Sequence, residues 1–187
     1  MSEGIVAPRP TKVILVGQMG AGKSTVARLL AARWADFAAC DLDAEIEARG
    51  RTISQIFEDE GESGFRAIES EVSSDILARP SSLVIATGGG APCQPGAIER
   101  MRSAGLVIWL HAPADVLALR LVGAQGAQRP LVAGLDLAQA ERLLSHQLEA
   151  RQGFYRRAHV TIDASPALDL VASSIDRVVS ALVDEAL

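Results

Sequence analysis

The sequence predicts an α/β domain of three layers, a central parallel sheet of five strands flanked by helices. Two observations carry that prediction. Short apolar or β-branched runs alternate with amphipathic stretches along the chain, the pattern of strands returning through crossover helices. A glycine-rich segment, residues 17–24, joins the first apolar run directly to the first amphipathic stretch, so the chain opens as strand, loop and helix. Its 187 residues suit one domain, and 49% hydrophobic content suffices for a core.

Taken in order, residues 12–17 read as a buried strand and 23–34 as a helix with Val26, Leu29 and Leu30 on its apolar face. A second strand covers 37–40, and a helix over 41–49 ends at Gly50. Thr52 caps a further helix over 53–60, which Gly61 stops. Residues 62–79 place Phe65, Ile68, Val72, Ile76 and Leu77 at helical spacing and end before Pro80. A third strand over 82–87 runs into Gly88, Gly89 and Gly90, a short helix follows over 96–103, and a fourth strand spans 106–110. Residues 115–121 are helical. Residues 122–136 contain three glycines, a proline and no hydrophobic period, which suits a mobile lid, at about 122–134, better than a buried element. A long helix over 137–156 is interrupted by Gly153, a fifth strand covers 159–163, and Ser165 with Pro166 opens the last helix. No repeat or linker divides the chain, so 1–187 reads as one domain.

Composition excludes several function classes. A net charge of −5 leaves no global basic field for nucleic acid or an anionic membrane. The longest apolar runs, such as 13–16 and 106–110, are far too short to span a bilayer. Cys40 and Cys93 are too few for a disulfide scaffold, and the first ten residues lack a basic stretch followed by an apolar one, so a cytoplasmic, reducing setting is expected. His111, His146 and His159 show no spacing typical of a metal site or triad, and the acidic run 57–62 reads as a solvated face.

The chemistry begins at Gly17-Gln-Met-Gly-Ala-Gly-Lys-Ser24, which matches G-x-x-x-x-G-K-[ST] in the strand-to-helix context that this motif requires. Lys12 and Lys23 are the only lysines, so a lysine at the motif position is not a product of composition. Converging backbone N–H groups of Gly20, Ala21 and Gly22 and the helix N-terminus would cradle phosphates, with Lys23 reaching the β- and γ-phosphates and Ser24 offering its hydroxyl to Mg²⁺. This makes the frame a P-loop NTPase fold. Asp41 and Asp43 follow the second strand, and two residues apart on extended chain they would project to one side at the carboxyl edge of the sheet. The alternative is structural, with Asp41 capping a helix and Asp43 stabilising its dipole in the first turn. Arg66 and Glu69 stand three apart on a helix and could simply pair.

Six ordered segments carry a resemblance over about residues 12–163: GQMGAGKST at 17–25, DLD at 41–43, FRAIE at 65–69, GGGA at 88–91, RPL at 129–131 and RQGFYRRA at 151–158. The set resembles the shikimate kinase family, small P-loop kinases of the nucleoside monophosphate kinase structural group. The resemblance implies Mg²⁺-dependent transfer of phosphate from ATP to the 3-hydroxyl of shikimate, giving shikimate 3-phosphate and ADP in chorismate and aromatic amino acid biosynthesis, by a monomer. It implies Asp43 as binder of the shikimate hydroxyls and proton acceptor, Asp41 as the residue orienting Mg²⁺, and Arg66 and Arg151 as the grip on the shikimate carboxylate. Gly88, Gly89 and Gly90 would offer backbone donors to substrate, within a substrate-binding segment completed by about 42–78. Thr25 joins the ATP site, and Arg129 is the lid arginine that swings onto the transferring phosphate. Arg156 and Arg157 compete with Arg151 by position, and Glu69 is expected to buttress Arg66.

Departures from the family pattern concern the nucleotide base. Residues 122–128 lack the arginine often found near RPL, which leaves Arg120 as the adenine-stacking assignment, and 163–169 contain no arginine for the other side of the ring. Ala86 lacks the hydroxyl that some relatives place near the metal. Two rivals remain: a gluconate or nucleoside monophosphate kinase on the same frame, disfavoured by Arg66, Arg151 and DLD, which suit a small carboxylated polyol, and a nucleotide-binding module without catalysis.

Overall fold

The structure, a computed structural model, describes residues 10–122 and 134–184. Five strands, β1 (Lys12–Val16), β2 (Ala38–Asp41), β3 (Leu83–Ala86), β4 (Leu106–His111) and β5 (Val160–Asp163), form one parallel sheet in the order β2-β3-β1-β4-β5. Among the described residues the helices are α1 (Lys23–Arg33), α2 (Leu42–Glu47), α3 (Ile53–Ala78), α4 (Ala97–Ala104), α5 (Ala114–Val122), α6 (Leu137–Tyr155) and α7 (Leu168–Asp184), with a 3-10 turn at Ala91–Cys93. None of them is long and apolar enough to cross a membrane.

The layering follows from the two-residue period of β1. Val13 and Leu15 enter one core with Val26 and Leu30 of α1, Leu117 of α5 and Val171 and Ile175 of α7. Ile14 and Val16 enter the other, with Ile46 of α2, Phe65 and Val72 of α3 and Ile98 of α4. Both faces are thus covered, which is why β1 is apolar from Val13 to Val16, whereas the edge strands β2 and β5 are half-buried or exposed except at Cys40. Register is set by pairs such as Ile14 with Ile85 and Ile14 with Val107. Lys12 serves the fold rather than the site. Its Nζ donates to the carbonyls of Arg79 and Ser81 at 2.7 and 2.6 Å, tying the start of β1 to the turn that precedes β3.

The expected stop at Gly61 holds, and two other expected boundaries shift for visible reasons. Residues 53–78 form α3 as two runs that abut at Gly61, whose φ of 67° lies outside the helical region. α6 passes through Gly153 without a break. An interior glycine costs a helix about 1 kcal/mol, and burial of Tyr155 one half-turn later outweighs it. The last helix starts at Leu168 rather than at Ser165 and Pro166. The carbonyls of those two residues are taken by Arg120 Nη2 at 2.9 and 3.0 Å, and the Ser165 N–H donates to Asp163 Oδ1 at 2.9 Å, so the segment is held as a turn. The acidic run at 57–62 is solvated as expected, with Asp59 and Glu60 paired to Arg51. Of the expected lid, residues 123–133 lie outside the described residues.

His159 closes the first rung between β4 and β5. Its backbone N–H donates to the Val107 carbonyl at 2.9 Å, and its Nδ1 accepts the Val107 N–H at 3.0 Å. Burial and the nearby Arg102 hold its pKa below the ordinary value of 6.5, so folding favours the neutral ring. The sign follows: the unfolded chain binds this proton first, and stability falls as pH drops through 6.5 toward the lowered pKa. Thermal melts of the wild type should therefore lose Tm across that window, and His159→Gln, which cannot protonate, should show a flatter slope there.

Candidate active site

From β1 the chain crosses to the outermost β2, and β3 then returns between them. This places the loop after β1, the acidic residues after β2 and the glycines after β3 side by side at the carboxyl edge, where open α/β sheets bind ligands. A cavity of about 430 Å³ runs along that edge, with Lys23, Asp43, Gly89, Arg120 and Leu168 among the residues that line it.

The loop at 17–24 has the geometry of an anion cradle. Gly20 and Gly22 adopt φ of +82° and +89°, left-handed conformations that glycine accommodates and that backbone anion nests use, just ahead of α1. A side chain at Gly22 would also require Leu168 to shift, because its Cβ would lie 2.5 Å from Leu168 Cδ2. Ala21 is buried, and Lys23, 8% exposed, donates from Nζ to the carbonyls of Gly17 and Gln18 at 2.8 and 3.0 Å. Ser24 lines the cavity beside it, and Thr25 Oγ1 accepts from Arg28.

Asp41 and Asp43 both line this cavity, though not by extended-chain geometry. Asp41 ends β2 and caps α2, its Oδ1 accepting the N–H groups of Asp43 and Ala44 at 3.1 and 3.4 Å. Asp43 lies in the first turn of that helix. The two expectations set against each other, capping and facing one site, hold together: the cap fixes the Asp41 carboxylate and the first helical turn carries Asp43 over the glycines.

Those glycines gather the remaining residues. A Cβ on Gly88 would stand 2.9 Å from Glu69 Oε1 and 3.1 Å from Asp43 Oδ1. On Gly89 it would meet Arg151 Nη1 at 3.3 Å, and on Gly90 Arg66 Nη2 at 2.7 Å. Two guanidinium groups and two carboxylates thus close on one strip of bare backbone. Arg66 Nη1 donates to Glu69 Oε2 at 2.7 Å and Nη2 to Glu62 at 3.2 Å. Burial pushes the Glu69 carboxyl up against the opposing pull of Arg66. Burial also works against the charge of Arg66, but Glu69 and Glu62 outweigh it and hold that pKa above the ordinary value.

The competing arginines point elsewhere. Arg156 donates to Gln152 Oε1 at 2.9 Å, and Arg157 pairs with Glu99. Arg120 donates to the carbonyls of Gly20, Ser165 and Pro166, which places it at the cavity wall between the phosphate loop and the turn before α7. Arg129 lies outside the described residues. Three contributors carried no signal in their motifs: Gln18, whose Oε1 accepts from Arg151, Gln147, which accepts from Gln18, and Tyr155, whose hydroxyl donates to the Gly89 carbonyl. The spacing of 147, 151 and 155, one helical turn apart, is the feature that could have flagged the last two. Thr87, next to Ala86 and 5% exposed, donates from Oγ1 to the Leu15 carbonyl at 3.0 Å and lines the cavity.

The shikimate kinase family model matches residues 19–182. The chain belongs to the shikimate kinase family. A shikimate kinase of Symbiobacterium thermophilum is 41% identical over 88% of this chain and 94% of that protein, and one of Parabacteroides distasonis is 38% identical over 84% and 90%. Among solved structures, a shikimate kinase of Bacteroides thetaiotaomicron superposes with a TM-score of 0.84 at 30% identity, covering 90% of this chain and 98% of that one. A shikimate kinase of Acinetobacter baumannii in complex with shikimate gives 0.80 at 37%, covering 91% and 93%. A gluconokinase of Sinorhizobium meliloti, at 18% identity and 0.60, shares the fold alone. Membership in the family makes the chain a kinase, a P-loop transferase that uses ATP together with a divalent metal.

The buried Glu69 carboxylate is tolerated because Arg66 faces it. Arg66→Ala should lower unfolding free energy at pH 8 by roughly 2 kcal/mol, toward the low side for orphaning a buried charge, since the Arg66 side chain is itself 21% exposed. With a raised folded pKa the orphaned Glu69 penalises folding increasingly as pH rises above the ordinary carboxyl value of 4.5 and fully above its own pKa, so the deficit should shrink as pH falls through that window. Urea denaturation should also show that adding Glu69→Gln to Arg66→Ala restores most of the loss at pH 8.

Proposed function

We propose that the chain transfers the γ-phosphoryl group of ATP to the 3-hydroxyl of shikimate, yielding shikimate 3-phosphate and ADP, with the residues around the glycine triplet as the acceptor site. The observation that carries this assignment is the closure of Arg66, Arg151 and Asp43 on Gly88–Gly90, one strand from the phosphate loop. The relative from Acinetobacter baumannii solved with shikimate supports the same acceptor.

Each residue then has a role that its chemistry suits. Arg66 and Arg151 present planar donor forks that pair with a carboxylate bidentately, fixing both the affinity and the orientation of a small acid. The bare backbone of the triplet lets a polyol approach closely. Asp43 accepts the proton of the attacking hydroxyl, and the rest of catalysis is in-line placement and charge neutralisation by Lys23 and the backbone of Gly20, Ala21 and Gly22. Thr25 completes the phosphate site, Arg120 takes the adenine side, and Arg129 closes on the transferring phosphoryl group from the lid.

The metal is Mg²⁺ on this reading. Ser24 and Asp41 supply two hard oxygens at the cavity, and among the described residues no group of three or more His, Cys, Asp or Glu could hold a metal ion. A partial protein shell completed by phosphates and water suits an ion that dehydrates reluctantly. When bound it neutralises charge on the β- and γ-phosphate oxygens. The protein acts as a cytoplasmic monomer, and closure of the lid over 122–134 excludes water from the transfer.

A coupled ADP-release assay with Mg·ATP, with and without shikimate, followed by mass analysis of the product, tests the reaction. Shikimate-dependent ADP release and a singly phosphorylated product are expected; ATP binding without any stimulation by shikimate contradicts the acceptor assignment. In the same assay Asp43→Asn should lower kcat by about 10²- to 10⁴-fold, the range for loss of a general base, with ATP affinity retained. Near-normal turnover would remove Asp43 from that role.

A further inference from the structure

Gln18, the second residue of the phosphate loop, has no part in the chemistry above, yet it is 2% exposed and both ends of its amide are engaged. Its Nε2 donates to Gln147 Oε1 at 2.6 Å, and its Oε1 accepts from Arg151 Nη1 at 3.1 Å. Arginine has no acceptor, so the amide has one workable orientation, with oxygen toward Arg151 and nitrogen toward Gln147. Gln147, Arg151 and Tyr155 lie one turn apart along α6. The Tyr155 hydroxyl, kept protonated by burial, donates to the Gly89 carbonyl at 2.6 Å. Its single proton is committed there, which leaves Gln18 Oε1 to Arg151. One amide therefore joins the loop that follows β1 to the arginine that stands 3.3 Å from the Cβ position of Gly89.

We propose that Gln18 is a positioning residue: it holds the Arg151 guanidinium against the glycine triplet before substrate arrives and ties the place of the acceptor carboxylate to the place of the phosphate loop. The proposal rests on the reading that Arg151 grips shikimate. A free arginine head group samples many rotamers, and a carboxylate that binds it must order them; a head group held in advance spares that cost. Gln147 has the supporting part of keeping the Gln18 oxygen aimed.

The test is the equilibrium Kd for shikimate in the full-length chain, measured by calorimetry or, where binding is weak, by ligand-observed NMR. The proteins are wild type, Gln18→Leu, Gln147→Leu, Arg151→Ala and Gln18→Leu combined with Arg151→Ala. Gln18→Leu should raise Kd about tenfold, the loss of one hydrogen bond to a charged group, and Gln147→Leu should raise it by less. Once Arg151 is gone, Gln18→Leu should add nothing, because the two act through one contact. An equal factor from Gln18→Leu in both backgrounds overturns the proposal, since Gln18 would then act without Arg151. So does an unchanged Kd in Gln18→Leu while Arg151→Ala weakens binding, a result that leaves the acceptor reading standing. An unchanged Kd in Arg151→Ala removes that reading and the proposal with it. Should Gln18→Leu fail to fold, Gln147→Leu at a half-buried position decides: unchanged Kd overturns, a severalfold rise supports.

Discussion

The site depends on three consecutive residues that have no side chains. Asp43, Arg151 and Arg66 approach Gly88, Gly89 and Gly90 so closely that any Cβ there would lie at 3.3 Å or less from one of them. Elsewhere in the molecule apolar burial decides position, as in the two cores that sandwich the sheet. Here the opposite holds: absence of bulk at the end of β3 allows polar groups from α2, α3 and α6 to meet over one strip of backbone. The insertion of β3 between β1 and β2 then sets that strip next to the phosphate loop, so donor and acceptor subsites are neighbours by topology before any side chain is considered.

Electrostatics sorts the site against a chain whose net charge is −5. Lys23, Arg66, Arg120 and Arg151 collect at one edge of the sheet, where they can face anionic ligands without a field that would attract polyanions elsewhere. Such a concentration needs internal balance, and Glu69 supplies it from within the apolar stripe of α3, between Phe65 and Val72. A carboxylate there costs desolvation, which is why its pKa is pushed up while its partner arginine stays firmly charged.

Much of this was legible in the chain. The alternation of strand and helix patterns predicted five parallel strands because buried parallel strands are apolar on both faces, and the G-x-x-x-x-G-K-S run predicted the loop because few other folds need lysine and hydroxyl in those places. Glu69 was readable as a partner of Arg66 from spacing alone. Asp41 and Asp43 reach one cavity, yet through a helix cap rather than through strand geometry, a distinction that sequence spacing cannot make. Gly153 looked like a break because propensity is local, whereas α6 is held by the burial of Tyr155. The start of α7 was misplaced because the competitor for the Ser165 and Pro166 carbonyls, Arg120, is remote in sequence. Gln18 occupies a position that the motif leaves open, and only the packing of α6 against the loop gives it partners.

A crystal structure of the chain with a non-hydrolysable ATP analogue and shikimate tests most directly whether the glycine triplet is the acceptor site. The account predicts the shikimate carboxylate between Arg66 and Arg151, a ring hydroxyl within hydrogen-bond reach of Asp43, and the phosphates on residues 17–24. Shikimate bound away from the triplet, or with its carboxylate turned from both arginines, would contradict it.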